Sequence, residues 1–189
     1  SWTLREVTQA DWTCSLPATC TYSLSLVSGA SSTAKDFGNW TSASVSGAKF
    51  HDQNGNGQRD QGEPGLGGWT FYVDYDDSDT LDAGEPSATS AVDGTFEITG
   101  VKPGTWAVRE VAQADWTCST PSPCSYSVVF TSGGAETGKD FGNFQQGTAS
   151  GLKFEDADAN GTQDAGESSL GGWTIRAYVD ANADGTLQV

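Results

Sequence analysis

The chain has no methionine, one histidine and only nine lysines and arginines among its 189 residues. Its 25 acidic residues give a formal net charge of −16 at pH 7. Because so few cationic side chains cannot offset phosphate repulsion, neither nucleic acid nor an anionic membrane surface is expected as a partner. No apolar run approaches the roughly 18 residues of a spanning helix, so membrane insertion is not expected either.

Sustained helical periodicity is also missing. Apolar residues alternate or run over short spans such as 95–98, 105–109 and 126–130, and turn signals such as Asp93-Gly94 and Pro103-Gly104 separate them. Aromatic residues make up 11% of the chain and include seven tryptophans, which is ample material for a core. The pattern predicts an all-β chain built from antiparallel β-sandwiches of immunoglobulin or prealbumin type.

The sequence repeats itself with an offset of 104 residues. Residues 5–7 (REV) return at 109–111, residues 11–14 (DWTC) at 115–118, and residues 35–39 (KDFGN) at 139–143. This periodicity divides the chain into the second half of one repeat (1–44), a complete repeat (45–146) and the first half of the next (147–189). Since both ends fall within a repeat, we expect this chain to be a segment of a longer tandem array.

Acidic and amide side chains recur at alternate positions of a twelve-residue stretch, 52–63, that has no apolar side chain. Oxygen donors at positions 1, 3, 5, 7, 9 and 12 are the ligand order of a calcium loop, and Gly57 at position 6 permits the sharp turn. The predicted ligands are Asp52, Asn54, Asn56, the carbonyl of Gln58, Asp60 and Glu63. The alternative is a solvated polar turn without a metal.

The same spacing occurs in three further stretches. One repeat later it gives Asp156, Asp158, Asn160, Thr162, Asp164 and Glu167. A degenerate version has Asp74, Asp76, Ser78, Thr80, Asp82 and Glu85, with Asp79 in place of the glycine. A fourth begins with Asp180, Asn182, Asp184 and Thr186. The predicted cofactor is therefore Ca²⁺.

The four cysteines form two pairs with identical spacing, Cys14 with Cys20 and Cys118 with Cys124. Zinc is a poor interpretation, because neither pair has the tighter spacing of a metal knuckle and His51 lies far from both. Disulfides across two hairpin-like turns are predicted instead, which favours an oxidising extracellular location.

Taken together, the motifs "SGAKFHDQNGNGQRDQGEPGLGGWT", "DAGEP", "PGTWAVREV" and "DFGN" resemble the B domains of serine-aspartate-repeat surface adhesins and the wider group of collagen-adhesin B-type modules. The resemblance covers every part of the chain. It implies calcium-binding β-sandwiches strung together as stalks of bacterial surface proteins. Ser78 and Asp79 depart from the family's Asn and Gly, and the cysteine pairs are not a family feature.

The resemblance also implies a covalent cross-link. In collagen-adhesin B-type modules a Lys and an Asn join as an isopeptide bond with assistance from a Glu, and the matching residues here are Lys49, Asn143 and Glu110. Burial would favour the neutral, nucleophilic amine, and a neighbouring carboxyl group could carry protons to the leaving ammonia. The alternative is a Lys49–Glu110 salt bridge with Asn143 as a turn residue.

The sequence thus predicts a structural protein, either the stalk of a cell-surface adhesin or part of a secreted filament. An enzyme is not predicted, because no nucleophile–base pair, phosphate loop or cofactor motif is found and His51 becomes Glu155 in the next repeat. The expected partners are adjacent repeats of the same chain or of a neighbouring identical chain, with residues 1–44 of one copy completing a sandwich with residues 147–189 of another. A module that binds a host protein, matrix component or glycan, and a spacer within an extracellular enzyme, are the alternatives.

Overall fold

The computed structural model describes residues 1–177, and these residues form thirteen β-strands and no helix. The all-β prediction is therefore confirmed for the described residues. No helix that is long and apolar enough to span a bilayer occurs among the described residues. The chain divides into two compact units, 1–146 and 147–189.

The strands all lie in the first unit. They are β1 (Trp2–Arg5), β2 (Trp12–Leu16), β3 (Thr21–Leu24), β4 (Gly38–Thr41), β5 (Ala43–His51), β6 (Thr70–Asp74), β7 (Ser87–Thr89), β8 (Thr95–Val101), β9 (Gly104–Glu110), β10 (Trp116–Thr120), β11 (Ser125–Phe130), β12 (Ala135–Glu136) and β13 (Phe141–Gln145).

Strands β5 to β13 form two sheets that enclose one hydrophobic core. One sheet has the order β10-β13-β5-β12, with β8 also paired to β5, and the other has the order β11-β9-β6-β7. Phe71 of β6 stacks on Phe96 of β8 across the two sheets, with ring centroids 3.9 Å apart. Phe71, Ile98 and Phe141 are inaccessible to solvent, as expected for side chains that face inward between packed sheets.

The first and last strands of this sandwich run in the same direction. β13 pairs with β5 in parallel, with Phe141 opposite Lys49 and Asn143 opposite His51. β12 is also parallel to β5. These two pairings depart from the predicted antiparallel arrangement. A long crossover rather than a hairpin connects the strands, so no tight turn forces them to reverse.

Residues 1–44 contain two small sheets that reproduce part of the complete repeat. β1 pairs with β3 and β2 with β4. Trp2 lies opposite Leu24 as Trp106 lies opposite Val128, and every register is shifted by 104 residues. Cys14 lies opposite Asn39, and likewise Cys118 lies opposite Asn143.

The described part of the second unit, residues 147–177, contains one isolated antiparallel bridge, Phe154 with Ser169. The complete repeat has the same bridge between Phe50 and Gly65. The fourth predicted loop, with Asp180, Asn182, Asp184 and Thr186, lies outside the described residues.

Both predicted disulfides are present. Cys14 is bonded to Cys20 and Cys118 to Cys124, with Cα–Cα distances of 6.0 and 6.2 Å. Each connects two strands that are consecutive in the chain but lie in different sheets: Cys14 is in β2 and Cys20 precedes β3, and Cys118 is in β10 and Cys124 precedes β11.

Candidate cross-link site and acidic loops

A lysine is fully buried in the complete sandwich. Lys49, on β5, has no solvent exposure and is among the largest fully buried side chains of the described residues. Its position follows from the strand pairing, because β13 lies alongside β5 and brings Asn143 to the lysine, while the end of β9 brings Glu110. The indole of Trp69 covers the ammonium group, with Nζ 4.0 Å from the ring centroid.

The three predicted cross-link residues are in mutual contact. Lys49 Nζ donates a hydrogen bond to Glu110 Oε2 at 2.8 Å and another to Asn143 Oδ1. Asn143 Nδ2 donates to the other carboxylate oxygen, Glu110 Oε1, at 2.8 Å. Side-chain exposure is 5% for Glu110, and Asn143 is buried. Glu110 therefore bridges the amine and the amide nitrogen.

Burial changes the protonation of this lysine. It lowers the pKa of Lys49 from 10.5 to about 8, against the opposing effect of the negative charge and hydrogen bond of Glu110. At pH 7 about one-tenth of such amines are neutral, far more than for an exposed lysine. A neutral amine beside a carboxamide, with one carboxylate touching both nitrogens, is an arrangement suited to acyl transfer.

The acidic loops share one hydrogen-bond frame. In each of the three described loops, the carboxylate at position 12 accepts from the backbone N–H of positions 2 and 9, and the Asp at position 1 accepts from that of position 6. The position-12 acceptors are Glu63, Glu85 and Glu167, and the position-1 acceptors are Asp52, Asp74 and Asp156. The frame is thus built by the spacing of the acidic residues rather than by the identity of those between them.

Several of the predicted ligands converge. The carboxylates of Asp74, Asp76 and Glu85 lie within 4.8 Å of one another, as do those of Asp156, Asp158 and Glu167. In the first loop, Asn54 Nδ2 and Asn56 Nδ2 both donate to Asp60 Oδ2, at 2.9 and 2.7 Å. Rotating either amide by 180° would turn its oxygen toward the same point, at the cost of the hydrogen bond that this oxygen accepts from the backbone N–H of Asn56 or Gln58. These donors are oxygens, which is the chemistry that a hard divalent cation requires.

The second loop is contacted by a cationic side chain that sequence analysis missed. Arg109, on β9, donates from Nε to Asp74 Oδ2 at 2.8 Å, and its Nη2 pairs with Asp77 at 2.8 Å and Asp79 at 2.7 Å. Asp79 adopts a φ of 61°, where the other loops have Gly57 and Gly161. The residue that replaces the glycine therefore contributes a carboxylate to the arginine. The antiparallel pairing of β6 with β9 brings the two together, and no local sequence signal could have found this contact.

The loop carboxylates at position 1 are held in their ionised form. Burial of Asp74 raises its pKa, but the backbone N–H of Asp79, the Arg109 side chain and the backbone N–H of Asp77 outweigh that effect and lower it overall. The pKa of Asp156 is lowered chiefly by the backbone N–H of Gly161. Both groups are thus ready to accept a cation at neutral pH.

Comparison with known proteins does not assign the chain to a family. No protein-family model matches the chain, and no curated protein matches it. Among solved structures, it is similar to the minor pilin of the Gram-positive pathogen Streptococcus agalactiae, with 14% sequence identity and a TM-score of 0.42. The match covers 59% of this chain and 48% of that pilin, so the chain spans about half of the pilin's length.

Proposed function

We propose that this chain is a load-bearing segment of an extracellular surface protein or filament, in which a covalent bond joins Lys49 to Asn143 and Ca²⁺ occupies the acidic loops. The observation that carries the proposal is the buried contact among Lys49, Glu110 and Asn143. A Lys49–Glu110 salt bridge alone leaves unexplained why the Asn143 amide contacts both of these side chains. The two disulfides fit an oxidising extracellular compartment.

The bond follows from the contacts. The lone pair of neutral Lys49 Nζ attacks Cγ of Asn143, Glu110 accepts a proton from Nζ, and the same carboxyl group returns it to Nδ2. The Cγ–Nδ2 bond breaks and ammonia leaves, so that an amine and a carboxamide become a secondary amide plus ammonia. No oxidant or cofactor is needed. The product joins the first and last strands of the sandwich.

Calcium has a separate structural role in this proposal. Asp74, Asp76 and Glu85 in one loop, and Asp156, Asp158 and Glu167 in another, would supply carboxylate ligands, and the first loop would supply Asn54 and Asn56 as well. A bound ion offsets repulsion among clustered carboxylates and makes the connections between strands rigid.

Intact mass spectrometry tests the covalent bond. The expected mass, after accounting for two disulfides, is lower than that of the sequence by at least one ammonia, and proteolysis should yield a branched peptide linking Lys49 to Asn143. Lys49→Ala and the closer mimic Glu110→Gln should each prevent this link. Lys139→Ala, which changes a lysine outside the core, is the matched control and should retain it. A folded wild-type chain without the branched peptide would refute the covalent bond.

A further inference from the structure

The connection between the preceding repeat, residues 1–44, and the complete repeat is one residue long. β4 ends at Thr41 and β5 begins at Ala43, so Ser42 alone lies between the two strands. Ala43 is 3% exposed and belongs to the hydrophobic core of the complete sandwich, where it lies opposite Val101 of β8. A connection of one residue that leads directly into a core is too short to act as a flexible linker.

A turn of the complete repeat bonds to the last residue of β4. This turn, residues 131–134, connects β11 to β12. The backbone N–H of Thr41 donates to Ser132 Oγ at 2.9 Å, and the carbonyl oxygen of Thr41 accepts from the backbone N–H of Gly133 at 3.0 Å. Both backbone polar groups of Thr41 are thus bonded to the complete repeat.

The same turn also bonds to the chain beyond the connection. The backbone N–H of Ser44 donates to the carbonyl of Gly134 at 2.9 Å. β12 then runs parallel to β5, with Ala135 opposite Ser44. The hydrogen bonds of this turn therefore begin at the end of one repeat and continue into the next, on both sides of Ser42.

Gly133 allows the turn to lie this close to β4. Its φ is 70°, in the left-handed region that glycine adopts readily, and a Cβ on it would lie 2.9 Å from Thr41 Oγ1. Gly29, 104 residues earlier, has a φ of 78° and no atom within 4 Å of the same position. The two glycines share a backbone conformation, but of the two it is Gly133 that approaches another strand.

Side chains of the two repeats also face each other beside this turn. One cavity is lined from both sides, by Ser15 and Trp40 of the preceding repeat and by Lys102, Pro103 and Ser132 of the complete repeat. The Trp40 side chain is partly buried there. The joint therefore involves side chains as well as backbone hydrogen bonds.

We propose that the turn 131–134 is a docking surface for the strand that leaves the preceding repeat, and that this contact holds the two repeats at a fixed angle. The inference goes beyond the proposed function, because it requires neither a bound ion nor a covalent bond. It concerns how the repeats are oriented along the array.

The surface recognises the backbone of the incoming strand. The two shorter bonds go to the N–H and carbonyl of Thr41, whereas its hydroxyl lies 3.4 Å from Ser132 Oγ. Contacts of this kind tolerate other side chains at the same position. They suit an array in which that residue changes between repeats, as it does from Thr41 to Gln145.

Residual dipolar couplings of the full chain test the joint, because they report the orientation of each N–H bond in a common frame. In wild type, one alignment tensor should fit both 2–41 and 43–145. The double variant Ser132→Ala with Gly133→Ala should require two tensors. The Thr41 amide should also exchange with solvent at least about fivefold faster in that variant, since it loses its acceptor.

Three control variants separate the docking contact from other effects. Gly29→Ala places a side chain on a left-handed glycine that does not touch Thr41, and Ser127→Ala removes a hydroxyl from an exposed position of β11. Both should keep one tensor and the wild-type exchange rate. Thr41→Gln should also keep one tensor, because it retains the backbone groups that Ser132 and Gly133 bind.

Couplings within 43–145 show whether each variant is folded, and Ser132→Ala alone repeats the test with a milder change. Two different tensors in wild type would refute the fixed angle. One shared tensor in the folded double variant would refute the turn as its cause. Loss of the shared tensor in Thr41→Gln would refute recognition of the backbone.

Discussion

Arg109 lies where β9 meets the second acidic loop, and it neutralises part of that loop without a metal. Its Nε bonds to Asp74, whose side chain has no solvent exposure, whereas Asp77 and Asp79 are largely exposed. Most of the stabilisation should therefore come from Asp74, because exposed pairs contribute little.

Arg109→Gln should lower the free energy of unfolding by about 2 kcal/mol, since a buried carboxylate loses a charged donor. The loss should be larger in EGTA than in calcium, because an ion can replace the missing positive charge. Chemical denaturation in both conditions measures this. Arg5→Gln changes the counterpart arginine, which is exposed, and should have little effect. Equal losses for the two variants would contradict the role assigned to Arg109.

Asp74 should also make stability depend on acid pH. Its folded-state pKa lies below the ordinary value of 3.8, so the folded state binds fewer protons than the unfolded state in that range. The stabilisation is complete above about pH 4 and is lost as the pH falls through the folded pKa. In EGTA, melting curves of Asp74→Asn should therefore decline less steeply below pH 4 than those of wild type. Asp11→Asn, at an exposed turn, should follow wild type.

At the level of single residues, the twelve-residue spacing selects side chains that share hydrogen-bond partners in the structure, and their role as calcium ligands stays a prediction. The position-1 Asp and position-12 Glu of each described loop lie where the twelve-residue pattern put them. Arg109 was missed because its partners are fixed by strand pairing over some thirty residues, for which a single sequence has no local signal.

At the scale of strands and loops, one glycine sets how closely β5 can approach its neighbour. A Cβ on Gly47 would lie 2.0 Å from the carbonyl oxygen of Lys139, which is backbone and cannot rotate away. Its counterpart, Gly151, has no atom within 4 Å of the same position.

Gly47→Ala should therefore destabilise the first unit by about 1–3 kcal/mol, as overpacking does. It should also slow formation of the Lys49–Asn143 link during refolding, because β5 would be displaced. Gly151→Ala is the matched control and should leave the melting temperature of a dilute monomer unchanged. Identical effects of the two substitutions on the monomer would contradict the packing described here.

The carboxylate at position 12 closes each of the three described loops by accepting two backbone hydrogen bonds. Glu63→Gln should weaken calcium binding to the first loop, because an amide supplies one neutral oxygen instead of a bidentate carboxylate. Isothermal titration calorimetry should show one binding event weakened or lost. Glu97→Gln, which makes the same change on an exposed position of β8, should not alter the titration. An unchanged titration for Glu63→Gln would argue against calcium in that loop.

The strands themselves were largely predictable, because alternation in segments such as 95–98 reflects one buried and one exposed face. The direction of pairing was not. The alternation of apolar and polar residues indicates which face of β5 and β13 is buried. It does not indicate the direction of pairing, because a strand with a parallel partner and a strand with an antiparallel partner can show the same alternation. The division of the first unit at residue 44 is a prediction that rests on the repeat.

For the whole molecule, calcium removal should have a large and reversible effect. At 100 times the dissociation constant, one occupied site adds about 2.7 kcal/mol to stability. Two loops in the first unit would then raise its melting temperature by about 10–20 °C. Thermal unfolding in calcium, in EGTA and after calcium is restored measures this, and magnesium should restore less because it requires a tighter octahedral site. Indifference to chelation would identify the loops as polar turns.

The parallel pairing of β5 and β13 determines how the sandwich responds when it is pulled. The chain enters along β5 and leaves along β13, so a stretching force on residues 43 and 145 acts along the strands in opposite senses. The hydrogen bonds between these strands then resist together in shear instead of opening one after another. With the Lys49–Asn143 bond formed, tension would pass through that amide, and most of the residues from 50 to 142 would carry none of it. These residues could then take part in binding and assembly, because their packing would not have to resist the stretching force.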